Sequence, residues 1–217
     1  MTHIDLSHTI EHGMITYKGL PAPLICDHLS RLQSHALYAE GTEFQIGKIE
    51  MVGNTGTYLD TPFHRYENGY DLAGLKLERV SNLPGIRITI APGTRAIGPE
   101  AFTGHALSGK AILIHTGWDR HWRTDAYFES HPHLTEAAAL YLKDQNAVLV
   151  GIDSYNIDDT IPATRPVHTV LLGAGIPIVE HMTNLASLPP DNFRFFAVPP
   201  KIRGMGTFPV RAHAILD

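Results

Sequence analysis

Cysteine is nearly missing from this chain. Cys26 is the only one in 217 residues, so no intramolecular disulfide can form and a reducing compartment is the expected setting. Nothing in "LICDHL" would activate that thiol, and it reads as a packing residue. Basic runs are missing too. The formal net charge is −5 at pH 7 and no stretch concentrates Lys or Arg, which sets nucleic acid aside as a partner. No apolar stretch approaches the roughly 20 residues of a membrane span; "NAVLVGI" is among the longest. The opening "MTHIDLSHTI" has neither a basic n-region nor an apolar h-region. A cytoplasmic chain without a membrane partner is therefore expected. No glycine-rich phosphate loop follows a candidate strand, and there is no repeat, low-complexity segment or linker.

What is present suits one globular domain over residues 1–217. The chain is 43% hydrophobic and only 18% charged, enough apolar material for a core and too little charge for disorder. Its 15 prolines and 19 glycines are spread widely, as expected for short strands joined by turns. Candidate strands are 44–51, 85–91, 110–116, 147–153, 176–180, 194–199 and 210–215. Several are almost continuously apolar, as strands buried on both faces are. "FQIGKIEM" and "VRAHAI" partly alternate, like half-exposed strands. The clearest helix is 135–146, with Thr135 as N-cap and Lys143 in its last turn. It leads from "KAILIHT" to "AVLVGID" as a strand–helix–strand unit. Shorter helices are expected within 74–83 and 168–175. The class is mixed α/β.

Fourteen histidines are many for this length, and one stretch gives some of them a context. Residues 54–65 read "NTGTYLDTPFHR". If 54–60 is extended, Asn54, Tyr58 and Asp60 share a face, with His64 following after the Pro62 bend, while Leu59 points into the core. The same spacing also suits Asp60 as a turn-former before Pro62 and His64 as a solvent-facing residue.

Beyond local spacing, the chain resembles the bacterial cyclase family, which includes kynurenine formamidases and isatin hydrolases. The family signature His-x-Gly-Thr-His-x-Asp-x-Pro-x-His stands here as "NTGTYLDTPFH". Further segments in matching order are "IDLSHTIEHGMITYKGLP", "LIHTGWDRHW", "LVGIDSYNIDD", "VHTVLLGAGIPIVEHMTNL" and "VPPKIRGMGTFPVRAHAI". The resemblance implies a swivelling β/β/α fold with a β-barrel-like core, a homodimer or homotetramer, and hydrolysis of amide or lactam bonds in a small-molecule substrate. It also implies two metal positions. Carried onto this chain, Asp60, His168 and Glu180 are metal ligands and His64 is the acid–base group. The two leading histidines of the signature are replaced by Asn54 and Tyr58.

Those replacements reshape the expectation. An Asn amide oxygen is a weak neutral donor, and a phenol with an ordinary pKa near 10 ligates only under strong polarisation. The first metal position is left with Asp60 alone, and no ion is expected there. Asp60, His168 and Glu180 still supply one N and two O donors for one divalent ion, Zn²⁺ or Mn²⁺. Asn54, Tyr58 and Trp118 are candidate substrate-binding residues. Asp60 and Glu180, held close together, cannot both ionise cheaply. They require an ion, a shared proton, or a basic neighbour such as Arg65, Lys201 or Arg203. A metal-free relative that binds a small molecule without turning it over is the rival expectation.

Overall fold

The near-continuous apolar runs make the middle of one large sheet. The structure is a computed structural model and describes residues 1–216. In chain order the elements are β1 (Thr2–Asp5), β2 (Leu24–Leu29), α1 (Arg31–Ser34), β3 (Ile46–Glu50), β4 (Tyr58–Asp60), β5 (Leu83–Thr89), β6 (Ala96–Ile97), β7 (Ala111–His115), β8 (His133–Leu134), α2 (Glu136–Asp144), β9 (Leu149–Ile152), α3 (Pro166–Gly173), β10 (Ile178–Glu180), β11 (Phe193–Phe196), β12 (Thr207–Pro209) and β13 (His213–Leu216). Nine strands form a strongly curled, half-barrel sheet in the order β1-β13-β11-β5-β7-β9-β10-β4-β12. Neighbours from β5 through β7 and β9 to β10 run parallel, and the flanking pairs are antiparallel. This is the mixed α/β class expected from the strand–helix–strand pattern.

The period of two along these strands divides the interior. Ile112 and Ile114 of β7, with Val150, Ile152 and Ile178, face the helices and meet Ala138, Ala139 and Leu142 of α2 and Val167, Leu171 and Leu172 of α3. Ala111, Leu113, Leu149 and Val179 face the hollow of the curl with Leu59, Phe193 and Phe195. Burying each such side chain is worth roughly 1.5–3 kcal/mol, so the strands of both clusters are fixed in register. Between β7 and β9, α2 starts at the Thr135 cap, whose hydroxyl accepts from the Ala138 N–H at 3.2 Å.

Four expectations change. Residues 74–83 form only a short 3-10 turn, Leu77–Arg79, because Asn82 takes φ 55° and the chain passes straight into β5. β3 is exposed along its whole length rather than on one face, since it pairs only with β2, as a separate two-stranded arm. Cys26 lies exposed on β2 and packs into no core. Residues 54–57 are not extended: Gly56 turns through φ 65°, its N–H donating to Thr16 Oγ1 at 2.9 Å, and the strand begins only at Tyr58. No helix among the described residues is long and apolar enough to cross a membrane.

Candidate active site

β4 carries the centre of the site. It lies between β10 and β12, with Tyr58 opposite Glu180 and Asp60 opposite Thr207. After Asp60 the chain enters a 3-10 turn at Pro62–His64, where proline supplies the required φ and gives up no needed N–H. The Thr61 N–H and hydroxyl both donate to the Gly206 carbonyl, at 2.7 and 3.0 Å. Gly206 has to be glycine, because a Cβ there would collide with the His64 backbone. The turn is thus clamped against the loop before β12, and His64 is set at the rim.

His168 comes from the first turn of α3, and Asp158 fixes it through two contacts to His168 and one to Val167. The Asp158 carboxylate accepts from the Val167 N–H at 2.7 Å and the His168 N–H at 3.0 Å, capping the helix start. It also holds His168 Nδ1 at 2.6 Å. The ring therefore presents Nε2 forwards, towards Asp60 Oδ2 at 3.7 Å and Glu180 Oε1 at 3.8 Å. A carboxylate behind a histidine in this way sets tautomer and aim, as it does behind metal-ligating imidazoles.

Asp60 is fully buried. Its Oδ1 accepts from the Thr207 hydroxyl, which also meets His64 Nδ1 at 2.8 Å. Its Oδ2 has no hydrogen-bond partner among the described residues. An ionised oxygen left so costs several kcal/mol unless a cation answers it. Glu180 is differently placed, with both oxygens engaged. Oε2 accepts from the Tyr58 hydroxyl at 2.6 Å and Oε1 from the Ile157 N–H at 2.7 Å.

The charges follow from these contacts. Burial opposes a charge on His168, but the Asp158 and Asp60 carboxylates, with Glu180 beyond, overcome it and raise its pKa to about 10. Burial pushes Glu180 up, to about 7, against the pull of His168 and the Tyr58 hydrogen bond. Tyr58 is driven well above the ordinary phenol range by burial and then by the Glu180 charge, so it stays a hydrogen-bond donor.

These donors can hold a divalent ion. Ligand atoms around tetrahedral Zn²⁺ stand about 3.3 Å apart for bonds of about 2.0–2.1 Å. The 3.7 Å separation of His168 Nε2 from Asp60 Oδ2 needs only a slight contraction, and Asp60 Oδ2 makes no hydrogen bond to a described residue, its charged neighbour being His168. Among the described residues one trio of potential ligands has atoms all within 4.8 Å of one another, Asp60, His64 and His168. Glu180 lies outside that tight trio, its carboxylate drawn towards Tyr58.

A cavity of about 280 Å³ opens over the site, lined by Tyr17, Leu20, Asn54, Tyr58, His64, Arg65, Asn156, Arg165, His168 and Glu180. Its size suits a small molecule. Six of the residues singled out from sequence therefore meet here, and Asp60, which does not line the cavity, lies buried 3.8 Å from His64 and 3.7 Å from His168. Trp118 does not join them. Its indole N–H donates to the Tyr127 carbonyl at 3.0 Å and its ring lies 4.6 Å from His121, so it packs its own loop. Lys201 and Arg203 do not line the cavity either, whereas Arg65 does. Asp153 binds Thr116 and Gly117 and props the same loop as Trp118.

Sequence reasoning missed Tyr17, Asn156, Arg165 and Thr207. Tyr17 sits between Tyr58 and Asn156, 3.2 and 2.6 Å from them, and donates to the Tyr155 carbonyl at 3.0 Å. None of these lies at a telling spacing from another. Asp158 caps the start of α3 and also orients His168.

Comparison with known proteins shows the family and the fold. The chain is 30% identical to a kynurenine formamidase of Geobacillus thermodenitrificans over 176 residues, 80% of this chain and 81% of the relative. It is 26% identical to a kynurenine formamidase of Bacillus cereus over 210 residues, 96% of this chain and 95% of the relative. The fold is that of isatin hydrolase A from Labrenzia aggregata, with a TM-score of 0.82 at 21% identity, covering 99% of this chain and 93% of that one. A structure described as a potential metal-dependent hydrolase with cyclase activity gives a TM-score of 0.78 at 24% identity, covering 98% and 96%. With the Cyclase family model, described as "Putative cyclase", matching residues 4–159, the chain belongs to the Cyclase family.

Proposed function

We propose that this protein is a hydrolase of carbon–nitrogen bonds outside peptides, acting on a small amide, formamide or lactam, with the C–O bond of a lactone as the alternative. It uses one divalent ion, Zn²⁺ or Mn²⁺, held by Asp60, His168 and Glu180. The observation that carries this reading is Asp60 Oδ2, buried, unpartnered and facing His168 Nε2 at 3.7 Å. The kynurenine formamidase relatives support the bond type.

Each residue has a defined task. When bound, the ion polarises the scissile carbonyl and makes nearby water more acidic, towards a pKa of ~7. Asp158 keeps the His168 ring aimed and fixes its tautomer. Thr207 tethers His64 and Asp60 together. His64, half-exposed on the cavity side, takes a proton from the attacking water and returns it to the departing nitrogen as the C–N bond breaks. Tyr58 and Asn54 ligate nothing. The Tyr58 hydroxyl donates to Glu180, and Asn54 offers the substrate an amide from the cavity wall.

The test is metal analysis of protein purified without chelators, paired with hydrolysis of formanilide before and after adding Zn²⁺ or Mn²⁺. Sub-stoichiometric metal together with no activity on adding either ion would overturn the reading. A second reading, a metal-free binder, is favoured by one observation: His168, charged by its own carboxylate partners, already answers Asp60 and Glu180. A ligand that raises the melting temperature and is recovered unchanged from ion-loaded protein would support it.

The assembly is a homodimer or homotetramer joined through the β2–β3 arm. Leu32, Leu37 and Phe44 there are 78%, 67% and 53% exposed, an apolar display that a second copy would cover. Sedimentation of Leu32→Glu with Leu37→Glu should give monomers; an unchanged mass would exclude the arm. The exposed Cys26 on that arm agrees with a cytoplasmic setting.

A further inference from the structure

His64 and His168 face one site but come from separate pieces of the chain. His64 stands on the loop after β4 and His168 in the first turn of α3, with ring centres 6.0 Å apart. Among the described residues, three hydrogen bonds join residues 62–70 to residues 166–175. The Tyr66 hydroxyl donates to the Thr169 carbonyl at 2.8 Å, one residue past His168. The Tyr70 hydroxyl donates to the Gly175 carbonyl at 2.9 Å, just beyond the far end of α3. Arg65 Nε reaches Thr169 Oγ1 at 3.3 Å, from an exposed position. The two phenols are thus the buried side of the connection.

The helix leaves room for one of them. Gly173 lies in the last turn of α3, where glycine is a poor helix former. A Cβ there would stand 3.1 Å from the Tyr66 hydroxyl oxygen, so glycine keeps the approach of the phenol open. The Tyr66 ring packs against the helix-side core, and each tyrosine brings an apolar body with one donor at its tip. The loop is itself closed, because the N–H of Phe63, the residue before His64, donates to the Tyr70 carbonyl at 3.2 Å. A shift of either phenol is therefore passed to the segment that carries His64. Attachment near both ends of α3 fixes the helix's rotation against the loop as well as its distance.

We infer that Tyr66 and Tyr70 are positioning residues for this site: their hydroxyls set the His64 imidazole against His168. This rests on the hydrolase reading above. The groups that would hold the ion have other supports, β4, β10 and the Asp158 carboxylate behind His168. Losing a phenol hydroxyl therefore misplaces the acid–base group and leaves the ligands in place. Such an error is felt when the proton moves and little when substrate binds, so its signature is in kcat more than in KM.

The experiment sets wild type against Tyr66→Phe, Tyr70→Phe and Gly173→Ala, in the Zn²⁺-loaded full chain with formanilide as substrate. Each Phe variant keeps its ring and should lower kcat by roughly tenfold, and the two together by about a hundredfold, with KM changed less than ~2-fold. Gly173→Ala crowds the Tyr66 hydroxyl and should lower kcat severalfold while the melting temperature holds or rises, since alanine is the better helix former. NMR of ion-free, histidine-labelled protein reads the placement without catalysis. The through-space contact between the His64 and His168 ring protons should weaken in all three variants. Full kcat and an undiminished ring contact in both Phe variants, whatever their stability, overturn the inference and leave the hydrolase reading intact. A raised KM at unchanged kcat overturns it as well. A ring contact weakened in the variants, with no formanilide turnover by wild type on adding Zn²⁺ or Mn²⁺, supports the positioning role and overturns the hydrolase reading.

Discussion

Replacing Tyr58 with Phe removes one oxygen from the middle of the site and almost nothing else. The ring, fully buried, stays and no cavity opens. What disappears is the 2.6 Å hydrogen bond to Glu180 Oε2. A hydrogen bond to a buried charge is worth about 1.5–3 kcal/mol. For a chain of this size that lowers the melting temperature by roughly 3–12 °C. The loss depends on pH, and its sign is fixed by Glu180. Burial raises the folded pKa of Glu180 to about 7 from an ordinary 4.5. Its charged form is therefore disfavoured in the fold, and stability contributed by the neutral acid is lost as pH rises through that range. Tyr58 offsets part of this cost by donating to the charged form, so the Tyr58→Phe penalty is small below about pH 7 and full above it. The assay is urea unfolding in EDTA on both sides of that pH, with the slope checked for two-state behaviour. A variant as stable as the parent on the alkaline side, or a penalty confined to the acid side, would refute the claim that Tyr58 holds Glu180 by charge-assisted donation.

Three further outcomes follow from the same contacts. Asp158→Asn should weaken Zn²⁺ binding by about 10- to 100-fold, read by competition with a chelating dye; unchanged affinity would mean that His168 needs no orienter. Zn²⁺ binding to ion-free protein should release a proton on the alkaline side of neutrality. His168, raised to about 10 by its carboxylates after burial is overcome, stabilises the ion-free fold below its ordinary pKa and ceases to as pH climbs through 10. Calorimetry in buffers of different ionisation enthalpy measures that proton, and a buffer-independent heat would count against it. His64→Ala should lower kcat by about 10²–10⁴-fold with metal content intact; loss of the ion instead would make His64 the third ligand, as the Asp60–His64–His168 trio allows.

The sequence by itself determined the sheet's centre and the candidate ligands. Apolar runs at 110–116 and 147–153 around the Thr135-capped helix read as a strand–helix–strand unit able to hold a parallel pair, and β7 and β9 do pair in parallel. The "NTGTYLDTPFH" spacing likewise brought Asp60 and His64 into one proposal, and the resemblance added His168 and Glu180. Only the tertiary structure decided how these groups divide their valences. That Tyr58 meets Glu180 depends on β4 lying antiparallel to β10 in one register. That Thr207 bridges Asp60 and His64 depends on β12 closing over β4, 147 residues further along the chain from Asp60. Arg65 and Arg165 share one cavity mouth although a hundred positions separate them. Trp118, plausible by composition, turned into its own loop because the Tyr127 carbonyl gave its N–H a partner there. Side-chain periodicity and capping are short-range and can be read along the chain, whereas hydrogen-bond partners and charge balance are set by strand register and exist only once the sheet has formed.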